Sequence, residues 1–270
     1  MQRRYGRAYL VLVTSMTVAF ACSPLFDLGR VDERYGEVDP DGDAGDAAPD
    51  VAAPGFCAAA DASALVVCDD FDGVQAPSSV WESSLTVPGC CTVVPESLSP
   101  PNAYQLDIDA SAFDAGFRLA VLSTPTAAPA DHLTFAFALR PAAFPATGGA
   151  FYAASIAQDN GGTRAALSLR LASADVDLQE QIGTSPGTFR QSAAAPARPL
   201  DAWTRFEIEL DLAALPRRAR LRIEGAEAIS FELSPEWGKA VTRLYVGNWF
   251  VSADIAHYRV IYDDVAIHAR

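Results

Sequence analysis

From Phe56 to the end of the chain, short apolar or alternating runs recur every 10 to 20 residues, with turn residues between them. Leu65–Phe71, Tyr104–Ile108, His132–Leu139, Ala150–Ile156, Ala165–Leu171, Val176–Ile182, Trp203–Leu212, Arg218–Ile223, Ala228–Leu233 and Tyr258–Ile267 are the clearest. Thr92–Val94, Phe117–Leu122 and Arg243–Val246 are shorter examples. Side chains alternate between the two faces of a strand, so a period of two marks a strand with one buried face. No stretch of helical length shows a 3.6-residue period, and only Leu212–Pro216 reads as a helical turn. Clusters such as Asn160-Gly161-Gly162 and Thr184–Gly187 separate the runs. A dozen or more strands without a fixed repeat predict an all-β, two-sheet antiparallel sandwich over 56–270. Packing two sheets face to face also limits the exposed edges that so many strands would otherwise present.

The first 55 residues read differently. Arg3, Arg4 and Arg7 precede the apolar run Ala8 to Ala21, 14 residues ending in Ala19-Phe20-Ala21-Cys22. A basic start, a short hydrophobic run and small residues at its end predict a signal peptide over 1–21. The run is shorter than the about 20 residues that a membrane-spanning helix needs. From Asp27 to Asp50 nine acidic residues face only Arg30 and Arg34, and Pro, Gly and Ala fill much of the rest. Such composition buries too little apolar surface to offset chain entropy, so 22–55 is expected to be a disordered acidic linker. At that length it would hold a domain roughly 30 Å from an anchor.

Ala21-Cys22-Ser23 resembles the lipobox of bacterial lipoproteins, which implies a lipid on Cys22. Ser23 after the cysteine then implies an outer membrane or cell-surface address in a Gram-negative bacterium. Five cysteines in an oxidising compartment leave one over, and lipid on Cys22 would account for it. Of the other four, Cys57 and Cys68 make the easiest bridge. Cys90 and Cys91 either pair as neighbours or take other partners, three connectivities in all.

Composition excludes one large class of partner. With 34 acidic against 20 basic residues the formal charge is −14, and nucleic-acid binding by counterion release needs the opposite balance. Half the residues are hydrophobic, enough for a sizeable core.

Few motifs carry chemistry. Gly183-Thr-Ser185-Pro-Gly187 matches the nucleophile-elbow pattern. However, Pro186 lacks the N–H that would donate to an oxyanion, so this is a turn between strands. No two histidines stand at metal-ligand spacing and no Cys-x-x-Cys occurs, so no cofactor set is visible. Glu207, Glu209 and Asp211 share one face of a strand, close enough for a carboxylate pair in glycoside hydrolysis. The same pattern also describes an amphipathic strand with Phe206, Ile208, Leu210 and Leu212 inward. Asp263 sits in the register of Ile261, Val265 and Ile267, where a bare carboxylate is costly and must be compensated. Trp249 with Asn248, just past a strand, offers an aromatic ring beside an amide, the chemistry of a sugar-binding face.

Cys68-Asp-Asp70-Phe-Asp-Gly73 followed by Trp81 resembles the opening of concanavalin A-like (laminin-G-like) jelly rolls. Asp201-Ala-Trp203-Thr-Arg-Phe-Glu-Ile, Arg220-Leu-Arg-Ile-Glu-Gly225 and Tyr262-Asp-Asp-Val-Ala-Ile267 are similar to later strands of that family, and the likeness spans roughly 56–270. It implies a sandwich that binds carbohydrate or another surface polymer without catalysis. It also admits a glycoside hydrolase or polysaccharide lyase using Glu207, Glu209 and Asp211, or an adhesive domain with no small ligand. It further implies that Asp263, with Asp70 or the backbone at Gly73, holds a structural calcium.

Overall fold

The computed structural model describes residues 56–59, 64–73, 81–85, 90–109, 120–144, 150–173, 175–183, 188–191, 195–196, 199, 201–248 and 257–270. The expected signal peptide over 1–21, Cys22 and the expected linker over 22–55 therefore lie outside the described residues. The strands in chain order are Leu65–Asp69 (β1), Ser83–Leu85 (β2), Cys91–Val94 (β3), Ala103–Asp109 (β4), Ala120–Pro125 (β5), His132–Ala143 (β6), Ala150–Asn160 (β7) and Thr163–Ala172 (β8). They continue as Asp175–Ile182 (β9), Thr188–Gln191 (β10), Ala195–Pro196 (β11), Thr204–Asp211 (β12), Arg218–Ile223 (β13), Ala226–Glu232 (β14), Thr242–Asn248 (β15) and His257–Ala269 (β16). Among the described residues the one helix is the four-residue turn Phe56–Ala59, and Leu212–Pro216 is a non-helical connection. β2, β10 and β11 are too short to show a period, which is why the alternation does not announce them.

All pairings are antiparallel and form two sheets. The first runs β14-β13-β12-β6-β16-β4-β3, with β1 also on β16, and the second β10-β9-β8-β7-β15-β5-β2, with β11 on β9. Six of the fourteen neighbouring pairs are consecutive in the chain, and the others arise because it crosses repeatedly from one sheet to the other. The protein is an all-β, two-sheet antiparallel jelly-roll sandwich.

Alternation builds the core between the sheets. β6 turns Leu133, Phe135, Phe137 and Leu139 inward, and β12 does the same with Phe206, Ile208 and Leu210. Phe137 packs on Phe206 with ring centroids 5.6 Å apart and on Tyr262 at 6.0 Å. Phe151 of the second sheet meets Tyr258 of the first at 5.6 Å. The Tyr262 hydroxyl donates across the sandwich to the Ala153 carbonyl at 2.8 Å, so this buried phenol keeps its polar end satisfied. The β13–β14 hairpin turns on Glu224 and Gly225, both at positive φ, as a two-residue primed turn requires.

A layer of buried polar groups joins the sheets beside this core. Glu180 follows Val176 and Leu178 in the inward phase of β9 and is fully buried. Its carboxylate accepts from the Ser234 N–H and hydroxyl, each at 2.7 Å, and from the Trp237 indole at 2.8 Å. Gln158 of β7 donates to Thr242 at 2.9 Å and accepts from Gly238 N–H at 3.1 Å. The segment between β14 and β15 is thus held to the second sheet by side chains that supply its missing ladder partners.

The four described cysteines pair as Cys57–Cys68 and Cys90–Cys91. The first bridge, with Cα atoms 5.5 Å apart, ties the entry turn to β1. The second joins neighbours at the start of β3, one of the alternatives the sequence left open.

Candidate functional site

Glu207, Glu209 and Asp211 lie on the outer face of the first sheet, opposite Arg222, Arg220 and Arg218 of β13. Arg222 Nη1 is 3.2 Å from Glu207 and 3.0 Å from Glu209, and Arg220 Nη1 is 3.5 Å from Glu209. Partial burial and then the neighbouring Glu209 push the Glu207 carboxyl upward, while Arg222 pulls it back. Asp211 accepts from the N–H groups of Ala213 and Ala214, ending the strand. Glu207 and Glu209 thus form a cross-strand ladder of ion pairs with Arg222 and Arg220, while Asp211 lies 3.5 Å from His132 Nδ1.

Asp263 requires one correction. Tyr258, Val260 and Tyr262 face the core, and Val265 and Ile267 do so again, so the inward phase shifts by one residue between Tyr262 and Val265. The β16–β6 register breaks between Asp263 and Ala266, and Asp264 has φ 51°. This bulge moves Asp263 out of the face shared by Val265 and Ile267. One Asp263 oxygen accepts the N–H groups of Leu98 at 2.7 Å and Ser99 at 2.9 Å, and the other accepts the Asp264 N–H at 2.8 Å. Burial, opposed by these donors, leaves the carboxyl pushed up to about 6. Asp264 takes the Ser99 hydroxyl at 2.5 Å and Arg205 at 3.1 Å.

Asp70 caps the Asp72 N–H at 3.4 Å, and Gly73 is exposed at the end of that turn. Asp69, buried beside them, accepts from Phe71 N–H at 2.9 Å and from the Trp81 indole at 2.7 Å. Around Asp263 the hydrogen-bond partners are donors that cap the carboxylate. Among the described residues no group of three or more His, Cys, Asp or Glu side chains is arranged to hold a metal.

The tryptophans divide. Trp81 lies just before β2 and is buried in the core. Trp203 precedes β12 instead of lying on it, and stays partly exposed, with the Arg140 guanidinium 5.6 Å from the centre of its ring. Trp237, in the β14–β15 connection, is buried against Glu180. Asn248 closes β15 opposite Ala120, and Trp249 lies outside the described residues.

The arrangement with the most chemistry stands elsewhere, on the outer face of the second sheet. Register aligns Gln179, Ser168, Ser155, Tyr245 and Ser123 in one row across five strands. Asp177, Arg170 and Tyr152 make the neighbouring row, and Gln181, Ala166, Ala157 and Arg243 the row on the other side. Leu167, Leu169, Val176, Leu178, Leu244 and Val246 fill the alternate positions and face the core, which sends the polar set outward.

The serines and alanines of these rows are themselves buried, so the larger side chains stand over a floor of small ones. Ser155 and Ser168 hydroxyls are 2.8 Å apart. Tyr152 donates to the Gln179 amide oxygen at 3.1 Å, which turns the amide NH2 the other way. Arg170 donates through Nε to Asp177 at 2.8 Å and also contacts it through Nη2, while Asp177 has no exposed surface. Burial raises both phenols, with Arg170 opposing at Tyr152 and with Arg164 and Arg243 opposing at Tyr245. Both therefore remain neutral hydroxyl donors at ordinary pH.

Two half-buried aromatic rings, an oriented amide and a guanidinium on one rigid face can stack on and hydrogen-bond a polyhydroxylated ring. The sequence reading passed over this set. Its signal was present in Leu167-Ser-Leu-Arg-Leu171 and Val176-Asp-Leu-Gln179, where outward positions alternate with core residues, but only the register makes them neighbours.

No family model matches the chain, and no curated protein sequence matches it either. Solved structures do. A botulinum neurotoxin type C structure, from a toxin whose cell entry depends on interaction with two ganglioside molecules, superposes with a TM-score of 0.53 at 8% identity. The match covers 77% of this chain and 48% of that one, so the chain spans about half the length of the toxin structure. The alginate lyase A1-II′, a member of polysaccharide lyase family 7, gives 0.51 at 12% identity over 68% of this chain and 86% of the lyase. The cellulose induced protein Cip1 gives 0.51 at 14% identity over 76% and 97%. At these identities the likeness is one of fold: the chain shares the jelly-roll sandwich of these proteins.

Proposed function

We propose that this chain is an exported, lipid-anchored protein whose sandwich binds carbohydrate without cleaving it, on the outer face of the second sheet around Tyr152 and Tyr245. The observation that carries the reading is the alignment of those two rings with Gln179, Arg170 and the serine row. The comparisons support it in kind, since they include a toxin that interacts with gangliosides and a polysaccharide lyase. The carboxylate ladder on the other sheet gives catalysis little support, because Arg220 and Arg222 already bridge Glu207 and Glu209.

A glycan array followed by titration calorimetry on the full-length chain tests the binding. We expect Tyr245→Ala and Tyr152→Ala each to weaken it by roughly tenfold or more, the scale of losing one stacked ring. Binding abolished by Trp249→Ala but untouched by both tyrosine changes would move the site to the loop after β15. Depolymerisation of the bound glycan that is lost in Glu207→Gln would replace the reading with an enzyme.

The anchor rests on the leader pattern and on the cysteine pairing: the other four cysteines are taken by the two disulfides, which leaves Cys22 as the odd one. In a Gram-negative host the wild-type chain should sediment with membranes and Cys22→Ser should not. Equal distribution of the two would remove the anchor from the proposal.

A further inference from the structure

We infer that the ligand of this face is a neutral glycan, such as an uncharged hexose polymer, and not a polyuronate or sulfated chain; the inference rests on the binding reading above. Arg170 is held by Asp177 and lies 3.5 Å from Asp175. Arg243 pairs with Glu82 at 3.0 Å. Arg164 stands directly opposite Asp159 in the ladder, and its charge opposes the upward push on the Tyr245 phenol. The described charges of the face are therefore three guanidiniums set against four carboxylates, two of the cations ion-paired and the third opposite an acid in the ladder. An anionic chain would have to displace these pairs and approach a molecule carrying −14, with no counter-charge to gain. A neutral sugar needs no counter-charge, only ring stacking and uncharged hydrogen bonds.

The test is a titration of the purified full-length chain with neutral β-glucans and mannans in one arm, and alginate, polygalacturonate and heparin in the other, at low and high salt. Neutral chains should bind, with affinity changing less than about twofold between 0.05 and 0.5 M salt. The double variant Glu82→Gln/Asp175→Asn, which frees part of the arginine charge, should gain salt-sensitive binding of polygalacturonate. Wild-type binding of a polyanion that falls more than about tenfold with salt would overturn the inference and leave the glycan-binding reading standing. Absence of any gain in the double variant would overturn charge compensation as the reason for neutrality. No binding of either class, or binding indifferent to Tyr152→Ala and Tyr245→Ala, would defeat the binding reading itself.

Discussion

Glu180→Ala is expected to cost roughly 3–5 kcal/mol of folding stability in urea denaturation, although the residue lies outside the proposed site. The carboxylate is fully buried and collects three donors from the β14–β15 connection, the Ser234 N–H, the Ser234 hydroxyl and the Trp237 indole. A hydrogen bond to a charged group contributes about 1.5–3 kcal/mol, and the donors left behind would be buried without an acceptor. Some of that sum is offset by no longer burying the charge, which sets the lower end of the range. Glu180→Gln keeps one acceptor oxygen and should cost less, about 2 kcal/mol. A loss below about 1 kcal/mol for the alanine variant would mean that Trp237 and Gln158, not Glu180, hold this segment.

The contrast between Glu180 and its neighbours shows what the sequence could disclose. In Gln179-Glu180-Gln181 three polar residues stand in a row, and only the phase set by Val176 and Leu178 makes the middle one inward. Reading an acid as inward against its composition requires knowing that a partner loop arrives from 54 residues away. β6 and β12, by contrast, were legible because every second residue is large and apolar over a long strand. Asp263 was misplaced for a third reason: a single-residue bulge reverses the phase of everything after it, and nothing in Tyr262-Asp-Asp-Val265 marks which residue is extra. The candidate face needs five strands in register, drawn from positions 123 to 245, so each strand displays its outward residues while their adjacency stays hidden.

Arg170→Leu should destabilise the protein by about 3–5 kcal/mol, whereas Arg170→Leu/Asp177→Leu should return to within about 1–2 kcal/mol of wild type. Asp177 has no exposed surface and faces the guanidinium, whose own ionisation is strengthened first by that hydrogen bond. Removing the cation alone leaves a carboxylate in a poorly solvated place; removing both exchanges an ion pair for apolar volume on a strand that tolerates it. The same cycle separates structure from recognition. Because Arg170 stands beside Tyr152 and Gln179 on the proposed face, the double variant should fold yet bind glycan roughly tenfold more weakly. Full affinity in a stable double variant would make the pair purely structural and place recognition on Tyr152, Tyr245 and Gln179 alone.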